Sequence, residues 1–157
     1  MLKRLARVMF EAFSGVLLTA LTALGGANPL LGTWHLNVAK SKLRLSPTPK
    51  SATAKVEPNG EGISVALLVV NADGTKGELG YTANYDGKDY SIAGSRLFST
   101  IALKRLDDHT DEAIYKKNGK LVQISRRTVS KDGRLLTITD ESSGQGGAST
   151  VSVWDRQ

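Results

Sequence analysis

Five Asn-Gly or Asp-Gly pairs punctuate the chain, and they constrain its fold more than any other feature of the sequence. Both residues of such a pair tolerate the positive φ of a type I′ turn, so each pair favours a tight hairpin between antiparallel strands. The runs between them are rich in β-branched and aromatic residues, which is typical of strands. The five pairs are Asn59-Gly60, Asp73-Gly74, Asp86-Gly87, Asn118-Gly119 and Asp132-Gly133.

The runs between these turns predict ten strands. Several of them alternate, as in the fourth, where Leu79 and Tyr81 share one face while Glu78 and Thr82 share the other. A period of two with one polar face indicates a sheet that is half-buried. The ten predicted strands are 31–38, 51–57, 62–71, 77–85, 89–93, 100–106, 111–117, 121–130, 134–140 and 149–156.

The pattern contains no convincing helix after residue 50 that could cover such a sheet. Antiparallel strands without helices must pair face to face or close on themselves, and closure removes the exposed edges. Consecutive tight hairpins favour an up-and-down meander. We therefore predict an all-β fold, a single antiparallel up-and-down β-barrel of about eight to ten strands, whose interior holds side chains or one small ligand.

Two segments depart from the hairpin pattern. Residues 39–44 have the composition of one helical turn, and Pro47 and Pro49 break it, so residues 39–50 are interpreted as a connection across the barrel end or its outside. Residues 66–70 are apolar on both faces. That strand is predicted to be either buried on both sides or covered on its outer face by another element.

The N-terminus has the pattern of an export signal. Lys3, Arg4 and Arg7 form a positive segment, residues 15–24 form a short apolar run, and small residues 25–27 follow. We predict a cleaved signal peptide over 1–27, a barrel domain over 28–157, and a periplasmic or secreted location. The alternative is an amphipathic helix or membrane anchor, although the apolar run is shorter than the roughly 20 residues of a spanning helix.

Composition excludes several classes of function. The chain has no cysteine, which excludes disulfides, thiolate metal sites and a cysteine nucleophile. The net charge of +6 is spread along the chain next to turns rather than interleaved with aromatic residues, so nucleic acid is not an expected partner. We expect a monomer with no stable membrane insertion once the signal is cleaved.

No catalytic or metal-binding pattern appears, so we predict a non-enzyme with no cofactor. His35 and His109 are the only histidines and lack a cluster of carboxylates around them. The acidic residues Asp107, Asp108, Asp111 and Glu112 lack the spacing of a calcium loop and are interpreted as a solvated turn.

Three stretches of the sequence resemble a known superfamily. Residues 32–42 (GTWHLNVAKSK), 85–90 (YDGKDY) and 126–139 (RRTVSKDGRLLTIT) are similar to those of small exported bacterial lipocalin-like proteins. A Gly-x-Trp triplet on the first strand and a final hairpin ending at 151–156 are typical of calycins, which include lipocalins and fatty-acid-binding proteins. This resemblance implies a barrel that binds a small hydrophobic or amphipathic ligand.

The resemblance also implies roles for individual residues. The first-strand Trp of calycins closes one barrel end beneath a basic side chain from a late strand. Trp34 matches that Trp, and Arg126, Arg127 and Arg156 are candidates for the basic partner; Gly32, Trp34 and Arg126 are taken as structural residues. Where fatty-acid-binding proteins hold a carboxylate with two arginines and a tyrosine, the resemblance matches one arginine to Arg127 or its neighbour Arg126, and this chain carries Ser152 and Trp154 in place of the other two residues. Residues 39–50 are also too short for their two-helix lid.

The candidate binding residues combine apolar area with a few polar groups, which suits amphipathic ligands. Their alternative role is plain core packing. If Arg127 is buried, it needs an anionic partner, either a ligand carboxylate or Asp140. A second hypothesis is a ligand-free barrel that acts through its outer surface as an envelope interaction or inhibitor-type protein. The candidate ligand-binding residues are Tyr81, Tyr85, Leu103, Ile114, Arg127 and Trp154.

Overall fold

The protein is a closed antiparallel β-barrel of ten strands, as seen in a computed structural model that describes residues 26–44, 47–144 and 149–157. Each strand pairs with its neighbours in sequence, and β1 pairs with β10 to close the barrel. The described residues form no helix. This confirms the predicted fold class, while most of the predicted signal peptide, residues 1–25, lies outside the described residues.

The strands follow the predicted runs with small shifts at their ends. Their bounds are β1 Gly32–Lys42, β2 Ser51–Asn59, β3 Gly62–Val70, β4 Lys76–Asn84, β5 Tyr90–Ala93, β6 Thr100–Arg105, β7 Thr110–Lys117, β8 Lys120–Val129, β9 Leu135–Ser142 and β10 Ser149–Arg156.

The Asn-Gly and Asp-Gly pairs all lie at or between strand ends, with Asn59 as the last residue of β2, but only one of them forms the predicted type I′ turn. Asn118 and Gly119 both have positive φ, of 49° and 76°, and join Lys117 directly to Lys120. In the other four pairs only the glycine has positive φ. Three of those lie in longer loops, where Asp73, Asp86 and Asp132 each accept a hydrogen bond from the backbone N–H two residues later.

The prediction of a helical turn at residues 39–44 was wrong, because β1 continues to Lys42. The pairing of β1 with β10 is irregular between Asn37 and Lys42. There the Ser41 hydroxyl donates to the Asn37 carbonyl at 2.6 Å and accepts from the Val153 N–H at 2.9 Å. One serine side chain thus satisfies backbone groups that the ladder leaves unpaired, and the strand can continue across the irregularity.

One end of the barrel is sealed by Trp34, which is fully buried. Its indole Nε1 donates to the Leu30 carbonyl at 2.8 Å, and the Arg156 guanidinium lies over its ring at 4.2 Å from the centroid. Arg156 also donates to the carbonyls of Pro29, Leu31 and Gly133. Because this guanidinium contacts an aromatic face and three carbonyls, it clamps the N-terminal segment over the barrel end.

Gly32 leaves room for that clamp. Its φ is +129°, a conformation that side-chain-bearing residues rarely adopt, and an added Cβ would lie 2.6 Å from Nη1 of Arg156. The glycine at the start of β1 is therefore required both by the backbone and by the position of the arginine.

The outer face of β3 is not covered by any element among the described residues. Ala66 is exposed and Leu68 is half-buried, and they lie with Lys55 and Glu78 along an open groove of about 640 Å³ on the barrel wall. The apolar run at 66–70 was predicted to be buried on both sides or to be covered on its outer face by another element. Neither prediction holds for this outer face. Its inward residues Leu67 and Val69 pack against the core.

Replacing Trp34 with alanine should destabilise the fold by about 3–5 kcal/mol, because a buried aromatic side chain is deleted and a cavity is left beneath Arg156. Urea unfolding of the Trp34→Ala variant measures this. Leu121→Ala, at an exposed position on β8, is the control and should change stability by less than about 0.5 kcal/mol. An unchanged unfolding midpoint for Trp34→Ala would show that the indole does not seal the barrel.

Candidate functional site

An internal cavity of about 200 Å³ lies above the sealed end, and we call it the interior cavity. Inward-facing side chains near Trp34 are mostly buried, whereas many of those toward the opposite end of the barrel are half-buried. The cavity is lined by Leu30, Ala54, Val56, Val65, Leu67, Leu79, Tyr81, Phe98, Tyr115, Gln123, Ser125, Arg127, Leu136, Ile138, Asp140, Ser152 and Trp154. It therefore combines an aromatic and aliphatic wall with a small set of polar groups, as ligand sites do.

A buried ion pair forms part of its wall. Arg127 on β8 and Asp111 on β7 face each other in register inside the barrel, and their side chains are only 7% and 3% exposed. Nε of Arg127 donates to one carboxylate oxygen at 2.6 Å and Nη2 donates to the other at 3.0 Å. This two-point geometry is the strongest that a guanidinium makes with a carboxylate, and it neutralises the charge of Arg127 within the chain.

Two tyrosines complete the hydrogen bonding of the pair. Nη1 of Arg127 donates to the Tyr81 hydroxyl at 2.7 Å, and the Tyr85 hydroxyl donates to Asp111 at 2.9 Å. Asn28 in turn donates to the Tyr85 hydroxyl at 3.1 Å. A buried ion pair is tolerated only when its polar atoms have partners, and here each nitrogen of the Arg127 guanidinium and both oxygens of Asp111 have one.

The network also changes proton affinities. Burial raises the pKa of Tyr81, an effect that the neighbouring Arg127 opposes. Burial, with the charge of Asp111 beside it, raises the pKa of Tyr85 from 10.0 to about 12. Burial disfavours the charged form of Arg127, but Tyr81 and Asp111 outweigh it and raise the pKa of Arg127 well above its ordinary value. Arg127 is therefore a fixed cation at any pH at which the protein functions.

A second polar cluster lies further along the cavity wall and consists of Gln123, Ser125 and Asp140. The Gln123 amide donates to Oδ1 of Asp140 at 3.0 Å and to the Ser125 hydroxyl at 2.9 Å, and that hydroxyl donates to the same Oδ1. Burial raises the pKa of Asp140, although the hydrogen bonds from Ser125 and Gln123 and the charge of Arg127 oppose the rise. The carboxyl group is thus held in place by two neutral donors and not by a cation.

The final strand contributes Ser152 and Trp154, both buried. The Trp154 indole donates to the Ser152 hydroxyl at 2.9 Å, so the two side chains hold each other against the cavity wall. The resemblance to fatty-acid-binding proteins described above implied an arginine and a tyrosine at these positions. Since Arg127 is already bound to Asp111, the described wall contains no unpaired cation for a ligand carboxylate.

The loop between β5 and β6 carries Phe98 over the cavity. Phe98 lines the cavity and its ring lies 4.7 Å from that of Tyr115, centroid to centroid. The loop is fixed by the Ser95 hydroxyl, which accepts from the N–H groups of Leu97 and Phe98. β5 is short and pairs with β4 only at Ala93 and Ile92, so the wall is weakest here and this side offers the easiest route into the cavity.

The structure brings together three of the six candidate binding residues. Tyr81, Arg127 and Trp154 line the interior cavity. Tyr85 joins the ion-pair network without lining the cavity, and Leu103 is fully buried in the core. Ile114 lies on the outer side of β7, opposite to the buried Ala113, and its neighbour Tyr115 lines the cavity instead.

The structure also separates the three candidate arginines. Arg156 covers Trp34, Arg127 is buried inside, and Arg126 faces outward, where its side chain is 62% exposed and lies 3.8 Å from Glu112. Arg126 is therefore not the partner of Trp34, and its assignment as a structural residue of the barrel end is corrected to Arg156. The residue order Arg126-Arg127 places one cation on each face of the strand because successive side chains alternate.

Sequence reasoning missed several residues of the site, above all Asp111, which was interpreted as part of a solvated turn and is buried. Counting back from the Asn118-Gly119 turn would place Asp111 opposite Arg126. A bulge between Tyr115 and Lys116 shifts the register by one residue, so Asp111 pairs with Arg127. The alternation of Asp111, Ala113 and Tyr115 on β7 was the one signal that could have indicated an inward carboxylate.

Neither a protein-family model nor a curated protein sequence matches the chain. The protein is a closed ten-stranded antiparallel barrel that is compatible with the calycin architecture. It has a small interior cavity whose wall includes a cluster of polar side chains. No helix formed by the described residues is long and apolar enough to span a membrane. Nor do the described residues contain a group of three or more side chains placed to hold a metal ion.

Breaking the buried ion pair should be far more damaging than breaking an exposed one on the same strand. Asp111→Asn leaves Arg127 charged and buried without a counter-ion, at a cost of about 3–5 kcal/mol. Glu112→Gln, the adjacent and outward-facing control, removes only the long contact with the exposed Arg126 and should cost less than about 1 kcal/mol. Urea unfolding of both variants makes the comparison, and equal effects would contradict the account of the network.

The network should also make the protein sensitive to high pH. Because the folded protein holds the Tyr85 proton more tightly than the unfolded chain does, this group stabilises the fold below pH 10.0, and the contribution is lost as the pH rises through about 12. Unfolding free energy measured across that window should fall more steeply for the wild type than for Tyr85→Phe. Identical pH profiles would show that Tyr85 titrates as an ordinary exposed tyrosine.

Proposed function

We propose that this protein is an exported, non-catalytic lipocalin-like barrel, periplasmic or secreted, that binds a small apolar or amphipathic molecule in its interior. The observation that carries the proposal is the interior cavity, which has an aromatic wall formed by Tyr81, Phe98, Tyr115 and Trp154 and a polar cluster at Asp140. The export signal predicted over 1–27 supports the location. The resemblance to calycins supports the class of function, as an analogy at the level of fold.

The size of the cavity limits the ligand. At about 200 Å³ it is smaller than the roughly 300–1,000 Å³ of sites for drug-sized molecules. An apolar cavity of about 150 Å³ accommodates benzene, which has six non-hydrogen atoms. By proportion, a cavity of about 200 Å³ accommodates a ligand of roughly eight non-hydrogen atoms. The ligand is therefore compact, of the size of a substituted benzene ring, and a long-chain fatty acid does not fit.

The mechanism of binding is burial of an apolar body against the aromatic wall, with a polar end toward Gln123, Ser125 and Asp140. The ion pair of Arg127 and Asp111 lies in the wall as a neutral unit, and it keeps the interior structured when no ligand is present. Binding requires no change in the barrel beyond movement of the Phe98 loop. A monomer without nucleic-acid or membrane partners suffices for this function.

The second candidate is the ligand-free barrel that acts through its outer surface. One observation favours it, namely the groove on the outer side of β3, where Ala66 and Leu68 present an apolar strip between Lys55 and Glu78. The two candidates differ in a simple property. Only the first requires that small molecules enter the barrel interior.

Toluene should bind inside the barrel, and filling the cavity should abolish this binding. Ile138→Phe places a larger side chain in the cavity wall, whereas Ile124→Phe makes the same change on the outer face of β8 as a control. Titration with toluene, followed by the backbone amide chemical shifts of cavity residues, should give a saturable response in the wild type and in Ile124→Phe. The response should be at least about tenfold weaker in Ile138→Phe.

Absence of any saturable shift in the wild type would overturn the binding proposal in favour of the outer-surface candidate. Equal binding by both variants would show that toluene binds elsewhere than in the interior cavity. Thermal unfolding of each variant verifies that it is folded before binding is measured.

A further inference from the structure

We propose that the interior cavity selects compact amines, with the carboxylate of Asp140 receiving the ammonium group, and that it discriminates against carboxylates. This inference rests on the proposed function and deepens it by naming the chemical class of the ligand. It follows from the hydrogen bonds of Asp140, from the charges on the cavity wall and from the shape of the space beside them.

The hydrogen bonding of Asp140 leaves half of its carboxylate available. Both the Gln123 amide and the Ser125 hydroxyl donate to Oδ1. Oδ2 accepts no hydrogen bond from any residue that the structure describes, and the same is true of the Gln123 Oε1 atom. Both residues line the cavity. Two residues of the cavity wall thus each have a side-chain acceptor without a protein donor, which is complementary to a ligand that donates through N–H groups.

The charges on the cavity wall also favour a ligand that carries a positive charge. Two charged residues line the cavity, and Arg127 makes its two-point contact with Asp111, so its charge acts on Asp140 only from beyond hydrogen-bond distance. Asp140 has no cation within salt-bridge distance among the described residues. A half-buried carboxylate without a counter-ion is unfavourable, and a ligand cation would supply that counter-ion. A ligand carboxylate would instead meet the charge of Asp140 with no unpaired guanidinium to compensate.

The remaining space suits the body of such a ligand. Trp154, Tyr115 and Phe98 line the same cavity, so a flat apolar group can pack against aromatic rings while its ammonium group reaches Asp140. Aromatic faces also attract cations, which adds to the preference for an amine over a neutral molecule of the same shape. Benzylamine, with eight non-hydrogen atoms, matches the roughly 200 Å³ of the cavity.

The test is a panel of four probes that share one ring and differ in the attached group: toluene, benzyl alcohol, benzylamine and benzoate. Each is titrated into the full-length wild-type protein at neutral pH, where benzylamine is a cation and benzoate is an anion. Affinity is measured by calorimetry and by the chemical shifts of Gln123 and Asp140. Benzylamine should bind at least about tenfold more tightly than toluene, the gain expected of a charge-assisted hydrogen bond, and benzoate should bind more weakly than toluene.

Two matched variants locate the effect. Asp140→Asn keeps the shape of the side chain and removes its charge, so the ratio of benzylamine affinity to toluene affinity should fall at least about tenfold. Glu141→Gln makes the equivalent change at the adjacent position, whose side chain faces the outer surface, and should leave the preference intact. The wild-type panel decides the question even if Asp140→Asn does not fold.

Failure of this inference and failure of the proposed function give different results. If none of the four probes binds to the wild type, both are wrong. If toluene binds but benzylamine shows no advantage, or if benzoate binds most tightly, the cavity is a binding site and the assignment to amines is overturned. If Glu141→Gln abolishes the preference as fully as Asp140→Asn does, the ammonium group is attracted by the outer surface and the interior assignment is again overturned.

Discussion

The buried pair of Arg127 and Asp111 is the interaction on which the rest of the barrel interior depends. A guanidinium inside a sheet barrel needs a counter-ion and acceptors, and here Asp111 and Tyr81 provide them, while the Tyr85 hydroxyl donates to the Asp111 carboxylate. The pair joins β7 to β8 inside the barrel, and its Arg127 lines the interior cavity. Because the pair is internally neutral, it contributes structure to the wall and leaves the remaining polar groups to determine what binds.

The pairing of Arg127 with Asp111 makes the interior differ from the carboxylate site of fatty-acid-binding proteins, although the barrel is compatible with their architecture. The arginine that would hold a ligand carboxylate is already occupied, and the last strand carries Ser152 and Trp154, which bond to each other. The volume left between the aromatic side chains is small, about 200 Å³. Asp140 is the charged group without a counter-ion on the described wall, so the polarity of the site is reversed relative to that of an anion binder. The proposed preference for amines follows from this difference in inward-facing residues.

The sequence predicted the barrel well, because hairpin turns and the alternation of strands are local properties. Ten strands and the sealing role of Trp34 follow from such local patterns and from the resemblance to calycins. The interior of the site could not be predicted equally well, because it depends on register. The bulge near Tyr115 shifts β7 against β8 by one residue and exchanges which of Arg126 and Arg127 lies opposite Asp111. Ile114 and Tyr115 are adjacent on β7, so they lie on opposite faces: Ile114 faces outward and Tyr115 lines the cavity. The continuation of β1 past residue 39 depends on the Ser41 side chain, which hydrogen-bonds backbone groups that the strand pairing leaves free. The hydrophobic pattern of the sequence carries no sign of such a contact.

The central claim is that the ion pair leaves a real space inside the barrel, and a crystal of the protein exposed to xenon tests it most directly. Xenon occupies apolar cavities of this size without needing a polar partner, so its binding does not depend on the identity of the ligand. The account predicts a xenon atom among Tyr115, Trp154 and Phe98, with the contacts between Arg127 and Asp111 unchanged. A barrel interior filled by its own side chains, with no xenon inside, would contradict it.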